Sequence, residues 1–83
     1  MQYQVIVPKR VQKKLKNIDK RYYKRVLSAL IQLGINPFIG KKLKGEYKNQ
    51  WSLRVWPYRI IYGIVENQLV ILIIQISHRQ GTY

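Results

Sequence analysis

The 83-residue sequence contains no cysteine, only three acidic side chains and a single histidine. Without cysteine the chain forms no disulfide, has no thiol nucleophile and builds no cysteine-ligated zinc site. The remaining candidate metal ligands are Asp19, Glu46, Glu66 and His78, fewer than paired-carboxylate or two-metal centres usually need. We therefore expect any catalysis to proceed without a metal, and we expect no cofactor.

Long apolar segments are also missing. The longest apolar run, Leu69–Ile74, has six residues, whereas a membrane-spanning helix needs about 20. The first residues, Met1–Pro8, lead directly into a basic stretch without the apolar centre of a secretory signal. We therefore expect no membrane-spanning segment and a cytoplasmic location.

Positive charge is what the sequence has in excess. Its 16 Lys and Arg residues against three Asp and Glu give a formal net charge of +13. Positive charge at this density repels itself, which opposes folding, and it attracts polyanions. Nucleic acid, an acidic protein and a membrane surface are the candidate partners, beside the plainer interpretation of a solvated basic surface. Because 47% of the residues are hydrophobic, the chain is expected to fold, as one domain over residues 1–83.

The periodicity predicts one strand, two helices and three further strands. Gln4–Val7 is the first strand, and the apolar spacing is helical across Lys9–Leu33. The runs Trp51–Trp56, Tyr58–Val65 and Leu69–Ile76 have the alternation or the aliphatic content of strands. Short connections make these three an antiparallel meander, with the last run inside the sheet. The expected fold class is α+β, in the order β-α-α-β-β-β, a mostly antiparallel sheet with a helical hairpin packed on one face.

Local signals define the helical hairpin. Val11, Leu15 and Ile18 form an apolar stripe on the first helix. Asp19 is expected to cap the second helix, and Gly34 is expected to end it in a left-handed conformation. The buried stripe of the second helix is predicted to comprise Tyr22, Tyr23, Val26, Leu27, Leu30, Ile31 and Leu33.

Basic and aromatic side chains gather near the ends of the last strands. Arg54 and Arg59 flank the turn between two neighbouring strands. Arg79 follows the last predicted strand, beside His78, and Tyr83 comes four residues after Arg79. Arginine is well shaped to bind phosphate through two parallel hydrogen bonds. Convergence of these groups at one end of the sheet would therefore make a phosphate site. The preceding connector adds the lysines Lys41, Lys42, Lys44 and Lys48.

Three groups of residues carry a recognisable pattern. They are Lys42-Leu43-Lys44-Gly45, then Trp51-Ser52-Leu53-Arg54-Val55 with Tyr58-Arg59-Ile60-Ile61-Tyr62, and finally Ile76-Ser77-His78-Arg79 with Tyr83. In this order and spacing they resemble the RelE/ParE superfamily, the small toxins of bacterial and archaeal toxin–antitoxin operons. The resemblance spans essentially the whole chain and includes the predicted element order.

The resemblance, on the RelE side of the superfamily, implies an activity. RelE-like proteins are ribosome-dependent ribonucleases that cut mRNA in the A site without a metal and so inhibit translation. In them the ribose 2′-hydroxyl attacks its neighbouring phosphate. By position, Arg59 and Arg79 would contact that phosphate, and Arg54 would stabilise its charge. His78 would act as general base or acid, and Tyr83 would stack on or deprotonate near the scissile site. Contacts to RNA or the ribosome are assigned to Lys41, Lys42, Lys44, Lys48 and Trp56.

The resemblance also implies partners. These are a cognate antitoxin, expected to be acidic, the ribosome with its mRNA, and operator DNA reached only through the antitoxin complex; no membrane partner is expected. Two other functions stay open, namely a ParE-like poison of DNA gyrase without ribonuclease activity and a non-enzymatic RNA-binding module. Plain structural roles also fit these residues: Arg54 and Arg59 as solvated charges, His78 as an exposed histidine, and Trp56 as a brace for the turn.

Overall fold

A computed structural model of the chain describes residues 2–45 and 49–78. Its elements, in chain order, are β1 (Gln4–Ile6), α1 (Lys9–Lys16), α2 (Lys20–Ile35), a 3₁₀ turn (Pro37–Ile39), β2 (Lys41–Lys42), β3 (Gln50–Val55), β4 (Tyr58–Val65), a second 3₁₀ turn (Glu66–Gln68) and β5 (Val70–His78). The order β-α-α-β-β-β is as predicted, with one addition, the short strand β2 in the connector.

The strands form one mixed sheet in the order β1-β5-β4-β3-β2. β1 runs parallel to β5, and the other three neighbouring pairs are antiparallel. The nearly all-aliphatic last strand lies between two others, as predicted. The predicted class, an α+β fold with a mostly antiparallel sheet and a helical hairpin on one face, is therefore confirmed.

The helical hairpin gives the sheet two unlike faces. Successive side chains of a strand point to opposite sides, so alternate residues pack against the helices, on what we call the helix face. The other side is called the open face, which neither described helix covers. The core between helices and sheet comprises Val11, Leu15, Ile18, Val26, Leu30, Leu33, Val55, Tyr58, Ile60, Tyr62, Ile71, Ile73 and Ile76.

The start of the second helix follows the prediction. The Asp19 carboxylate accepts a hydrogen bond of 2.9 Å from the Arg21 backbone N–H, which satisfies one of the donors left free in the first helical turn. The same carboxylate pairs with the Arg21 guanidinium at 2.8 Å. The hydrogen bonds from Arg21 hold the pKa of Asp19 below its usual value. Asp19 is thus the N-cap that the sequence indicated.

The end of the second helix differs from the prediction. Gly34 lies inside α2, which ends at Ile35. The C-cap residue is Asn36, whose side chain accepts from the Phe38 N–H at 3.1 Å. A Cβ on Gly34 would lie 3.2 Å from the Tyr3 carbonyl oxygen, so the glycine permits close approach of the chain before β1 rather than a left-handed turn. Ile31 is 63% exposed, because the buried stripe of α2 is centred on other residues, Val26, Leu30 and Leu33.

Candidate nucleic-acid interface

Two arginines face each other across the β3–β4 hairpin. Arg54 is the direct cross-strand partner of Arg59, and Arg59 is in turn the partner of Ser77 on β5. Directly opposed residues point to the same face, with Cβ atoms about 4.5–5.5 Å apart. The neighbouring row, Val55 and Tyr58, belongs to the core, so the arginine row lies on the open face. The structure thus brings Arg54 and Arg59 together.

These arginines line a cavity of about 520 Å³, which we call the guanidinium pocket. Lys41 of β2 also lines it, because Lys41 pairs with Ser52, which shares a face with Arg54. The other described lining residues are Ile39, Gly40, Leu43, Ser52 and Leu53. Among the described lining residues there are three cations and no carboxylate, so the pocket is suited to an anion such as a phosphate.

A buried tyrosine holds the wall of the guanidinium pocket in place. The Tyr62 hydroxyl, on β4, donates to the Pro37 carbonyl at 2.8 Å and accepts from the Gly40 N–H at 3.2 Å. Burial raises the pKa of this phenol, and the hydrogen bond from Gly40 opposes the shift. A Cβ on Gly40 would meet both the Tyr62 hydroxyl and the Ser52 carbonyl, so the wall requires glycine there.

The sequence prediction missed this support. The available signal was a tyrosine within the otherwise apolar residues 60–65 of β4, since a buried phenol usually finds a hydrogen-bond partner. Tyr62 is a positioning residue that acts through the backbone of Pro37 and Gly40. Its role is to fix the segment from Pro37 to Gly40, directly before Lys41.

His78 is not brought to the arginines. It pairs with Tyr58, a core residue, and the two rings lie 5.3 Å apart at 81°. His78 therefore projects on the helix face, whereas Arg54 and Arg59 lie on the open face. The expectation that the imidazole shares a site with these guanidiniums does not match this arrangement.

A bulge in the sheet causes this separation. The register of β4 and β5 shifts between Ile61 and Tyr62. Val65 pairs with Val70, and an unshifted continuation of that register would place His78 on the same face as Arg59. One inserted residue reverses every later side chain, and His78 lies beyond the insertion.

The remaining predicted residues differ in where they lie. Lys42 pairs with Trp51, a residue packed against the core, so it shares the helix face rather than the pocket with Lys41. Lys44 is exposed just beyond β2. Three further predicted residues lie outside the described residues: Lys48, Arg79 and Tyr83.

Trp56 is exposed at the tip of the β3–β4 hairpin, with 54% of its surface accessible. Its carbonyl accepts a hydrogen bond of 3.0 Å from the Arg25 guanidinium of α2, which ties the turn to the helical hairpin. Its ring meets the edge of Tyr22 with centroids 6.4 Å apart. Trp56 therefore lies on the helix-face side of the hairpin, away from the guanidinium pocket.

Comparison with known proteins defines the class. The sequence profile of the family described as ParE toxin of type II toxin-antitoxin system, parDE, matches residues 5–83. A candidate toxin of Methanocaldococcus jannaschii that carries the name RelE1 is 31% identical, over 100% of this chain and 97% of its own length. The chain belongs to the ParE toxin family, and the predicted resemblance to the RelE/ParE superfamily is confirmed.

Solved structures agree with this assignment. The toxin–antitoxin complex RelBE2 of Mycobacterium tuberculosis contains a chain with a TM-score of 0.87 and 25% identity, covering 95% of this chain and 100% of that one. The archaeal RelE–RelB complex from Pyrococcus horikoshii contains one with a TM-score of 0.79 and 27% identity, covering 99% and 100%. The protein is thus a RelE-like toxin of a type II toxin–antitoxin system.

Across residues 2–45 and 49–78, neither helix is long and apolar enough to cross a membrane.

Proposed function

We propose that this toxin is a metal-independent mRNA endoribonuclease that acts in the ribosomal A site, in the cytoplasm, and thereby inhibits translation. The observation that supports the proposal most directly is the cross-strand pair of Arg54 and Arg59 in the guanidinium pocket. Like charges directly opposite each other destabilise a sheet. An anion between the two guanidiniums would offset that repulsion.

The proposed reaction is a transesterification within the RNA. The ribose 2′-oxygen forms a bond to the adjacent phosphorus as its proton leaves, and the bond from phosphorus to the 5′-oxygen breaks as that oxygen gains a proton. The products are a cyclic phosphate and a 5′-hydroxyl. Negative charge grows on the non-bridging oxygens in the transition state, where preorganised cations have their largest effect. Arg54 and Arg59 supply that charge, and neither needs to exchange a proton.

The other predicted roles divide by location. Lys41, in the pocket wall, and Lys44, exposed beyond β2, are proposed to contact messenger or ribosomal phosphates. Proton transfer at the guanidinium pocket is not a role for His78, because it lies on the helix face. The proposals for Arg79, Tyr83 and Lys48 rest on the resemblance alone.

We also propose a cognate antitoxin as the inhibitory partner. The related structures from M. tuberculosis and P. horikoshii are toxin–antitoxin and RelE–RelB complexes. A net charge of +13 favours an acidic partner. Operator DNA is proposed to be reached only through that complex, as the resemblance implies.

The test is to express the toxin and map transcript ends. The expected wild-type result is growth arrest with codon-positioned cuts whose 5′ ends become ligatable only after enzymatic phosphorylation, because the products carry 5′-hydroxyls. Arg59→Ala and Arg54→Ala should each lower cleavage by on the order of 100-fold or more and relieve the arrest. Lys13→Ala, which removes one charge from the exposed face of α1, is the matched control and should leave cleavage unchanged. Circular dichroism verifies that each variant is folded.

The family description favours one alternative, a ParE-like poison of DNA gyrase. In that case arrested cells would contain intact transcripts together with trapped, cleaved DNA. A non-enzymatic RNA-binding module would give neither, and Arg59→Ala would only weaken a salt-sensitive affinity for RNA. Uncut transcripts in arrested cells would therefore contradict the ribonuclease proposal.

A further inference from the structure

A second cavity lies on the helix-face side of the β3–β4 hairpin, and its volume is about 630 Å³. Its described walls are Tyr22 and the ion pair of Asp19 with Arg21 at the start of α2, then Trp56, Pro57 and Tyr58 of the hairpin, and His78 at the end of β5. We call it the aromatic pocket. It is separate from the guanidinium pocket, with which it has no described lining residue in common.

The rings of the aromatic pocket meet edge to face. Tyr22 and Trp56 are inclined at 88°, Tyr22 and Tyr58 at 67°, and Tyr58 and His78 at 81°. None of these pairs is stacked face to face. The inclined rings instead form the sides of a concave surface. With 54% of Trp56 exposed, part of this residue's surface remains available to a planar ligand.

Two guanidiniums lie beside this surface. Arg21 and Arg25 place their Cζ atoms 5.2 and 5.7 Å from the Tyr22 ring centroid. Arg21 is paired with Asp19, and Arg25 donates to the Trp56 carbonyl. This second contact fixes the backbone that carries the indole. Because Asp19 balances the charge of Arg21, the net positive charge beside the platform is that of Arg25. An aromatic platform with a cation beside it is the combination that binds bases of single-stranded nucleic acid.

The two pockets are adjacent across the hairpin. The row of Arg54 and Arg59 faces one side, the next row, Val55 and Tyr58, faces the other, and Trp56 follows at the tip. A single strand that passes the tip of this hairpin therefore meets a phosphate site and a base site in succession.

We infer that the aromatic pocket binds a nucleobase of single-stranded RNA, stacked on Trp56, next to the nucleotide whose phosphate lies in the guanidinium pocket. The inference rests on the proposed function only for the position of the scissile phosphate. A planar base carried on an anionic backbone fits an aromatic and cationic wall better than an acidic peptide does, because carboxylates would use the arginines and leave the indole face unused.

The test separates stacking from charge by using two probes with the same number of phosphates. One is a 2′-O-methylated octanucleotide, which 2′-hydroxyl attack cannot cleave, and the other is its abasic counterpart. Affinity of the full chain is measured by fluorescence anisotropy. Trp56→Ala should weaken binding of the base-bearing probe about tenfold and leave the abasic probe unchanged. Trp56→Phe should retain most of the affinity.

Ile31→Ala is the control, because Ile31 is an exposed apolar residue of α2, 63% accessible, that lines neither the aromatic pocket nor the guanidinium pocket. It should change neither affinity. Equal weakening of both probes by Trp56→Ala, or no weakening of either, would overturn the inference. The inference would also be overturned if Trp56→Ala kept the preference for the base-bearing probe but lost binding of a polyglutamate peptide. The pocket would then belong to a protein partner. If Trp56 confers the base preference but transcripts in cells stay uncut, the base site is supported and only the ribonuclease proposal is refuted.

Discussion

Removing one oxygen atom from the protein, by Tyr62→Phe, tests how the wall of the guanidinium pocket is held. The Tyr62 ring is fully buried in the core, and phenylalanine preserves its packing. What disappears is the donor to the Pro37 carbonyl and the acceptor for the Gly40 N–H. Both backbone groups then lack this partner, the Pro37 carbonyl at a buried site and the Gly40 N–H at a partly buried one.

The expected loss of unfolding free energy is about 1–3 kcal/mol, the usual cost of leaving a buried polar group unsatisfied. A domain of 83 residues has a total stability of about 4–12 kcal/mol at the usual 0.05–0.15 kcal/mol per residue. The loss is thus a sizeable fraction, and it should lower the melting temperature by about 4–8 °C for each kcal/mol. Urea unfolding followed by circular dichroism measures the change directly.

The variant should also alter the response to alkali. Because burial raises the pKa of Tyr62, the folded state prefers the protonated phenol. That part of the stability is fully present below the ordinary phenol pKa, near 10, and is lost as the pH rises through the higher folded-state value. Tyr62→Phe lacks this component, so the stability difference between wild type and variant should shrink across that range.

Tyr23→Phe supplies the control, since Tyr23 is a half-buried core neighbour whose hydroxyl makes no hydrogen bond with the described residues. It should change the urea midpoint little and leave the alkaline response as in the wild type. A Tyr62→Phe midpoint equal to that of the wild type, with a stability difference independent of pH, would refute the reasoning that this hydroxyl secures the segment before Lys41.

Two further predictions concern residues around the helical hairpin and the pocket wall. Asp19→Ala should lower stability at neutral pH. The difference from wild type should vanish as the pH falls below the usual carboxyl pKa of 3.8 and through the lowered folded-state pKa. Acid unfolding curves followed by circular dichroism measure this difference, and one that is independent of pH would contradict the prediction. Gly40→Ala should lower the free energy of unfolding by about 1–3 kcal/mol through overpacking against the Tyr62 hydroxyl and the Ser52 carbonyl. Combined with Tyr62→Phe, the loss measured by urea unfolding should be smaller than the sum of the two single losses. Strict additivity would count against the contact.

The arginine pair could be predicted from sequence because the loop that joins its strands is short. Only two residues, Trp56 and Pro57, separate β3 from β4. A loop of that length fixes the hairpin register, and residues equally distant from the turn become partners. Arg54 and Arg59 are such residues, so their convergence required no knowledge of the rest of the sheet.

The position of His78 could not be predicted in the same way. Its face depends on the register along the whole length of β4 and β5, and a single bulge near Ile61 changes it. Nothing in the aliphatic run from Ile71 to Ile74 distinguishes the residue that is inserted. The end of α2 was mispredicted for a related reason, since the requirement for Gly34 comes from the distant backbone of Tyr3.

The two pockets depend on the same hairpin register, and this couples them. A slip of one residue between β3 and β4 would turn Arg54 toward the helices and Val55 toward the open face. Burying an unpaired guanidinium in the core is far more costly than the like-charge contact across the hairpin. The core residues Val55 and Tyr58 therefore hold the arginines on the open face, and the same constraint keeps Trp56 beside Tyr22. The same short turn therefore fixes the positions of both the phosphate site and the stacking platform before RNA binds.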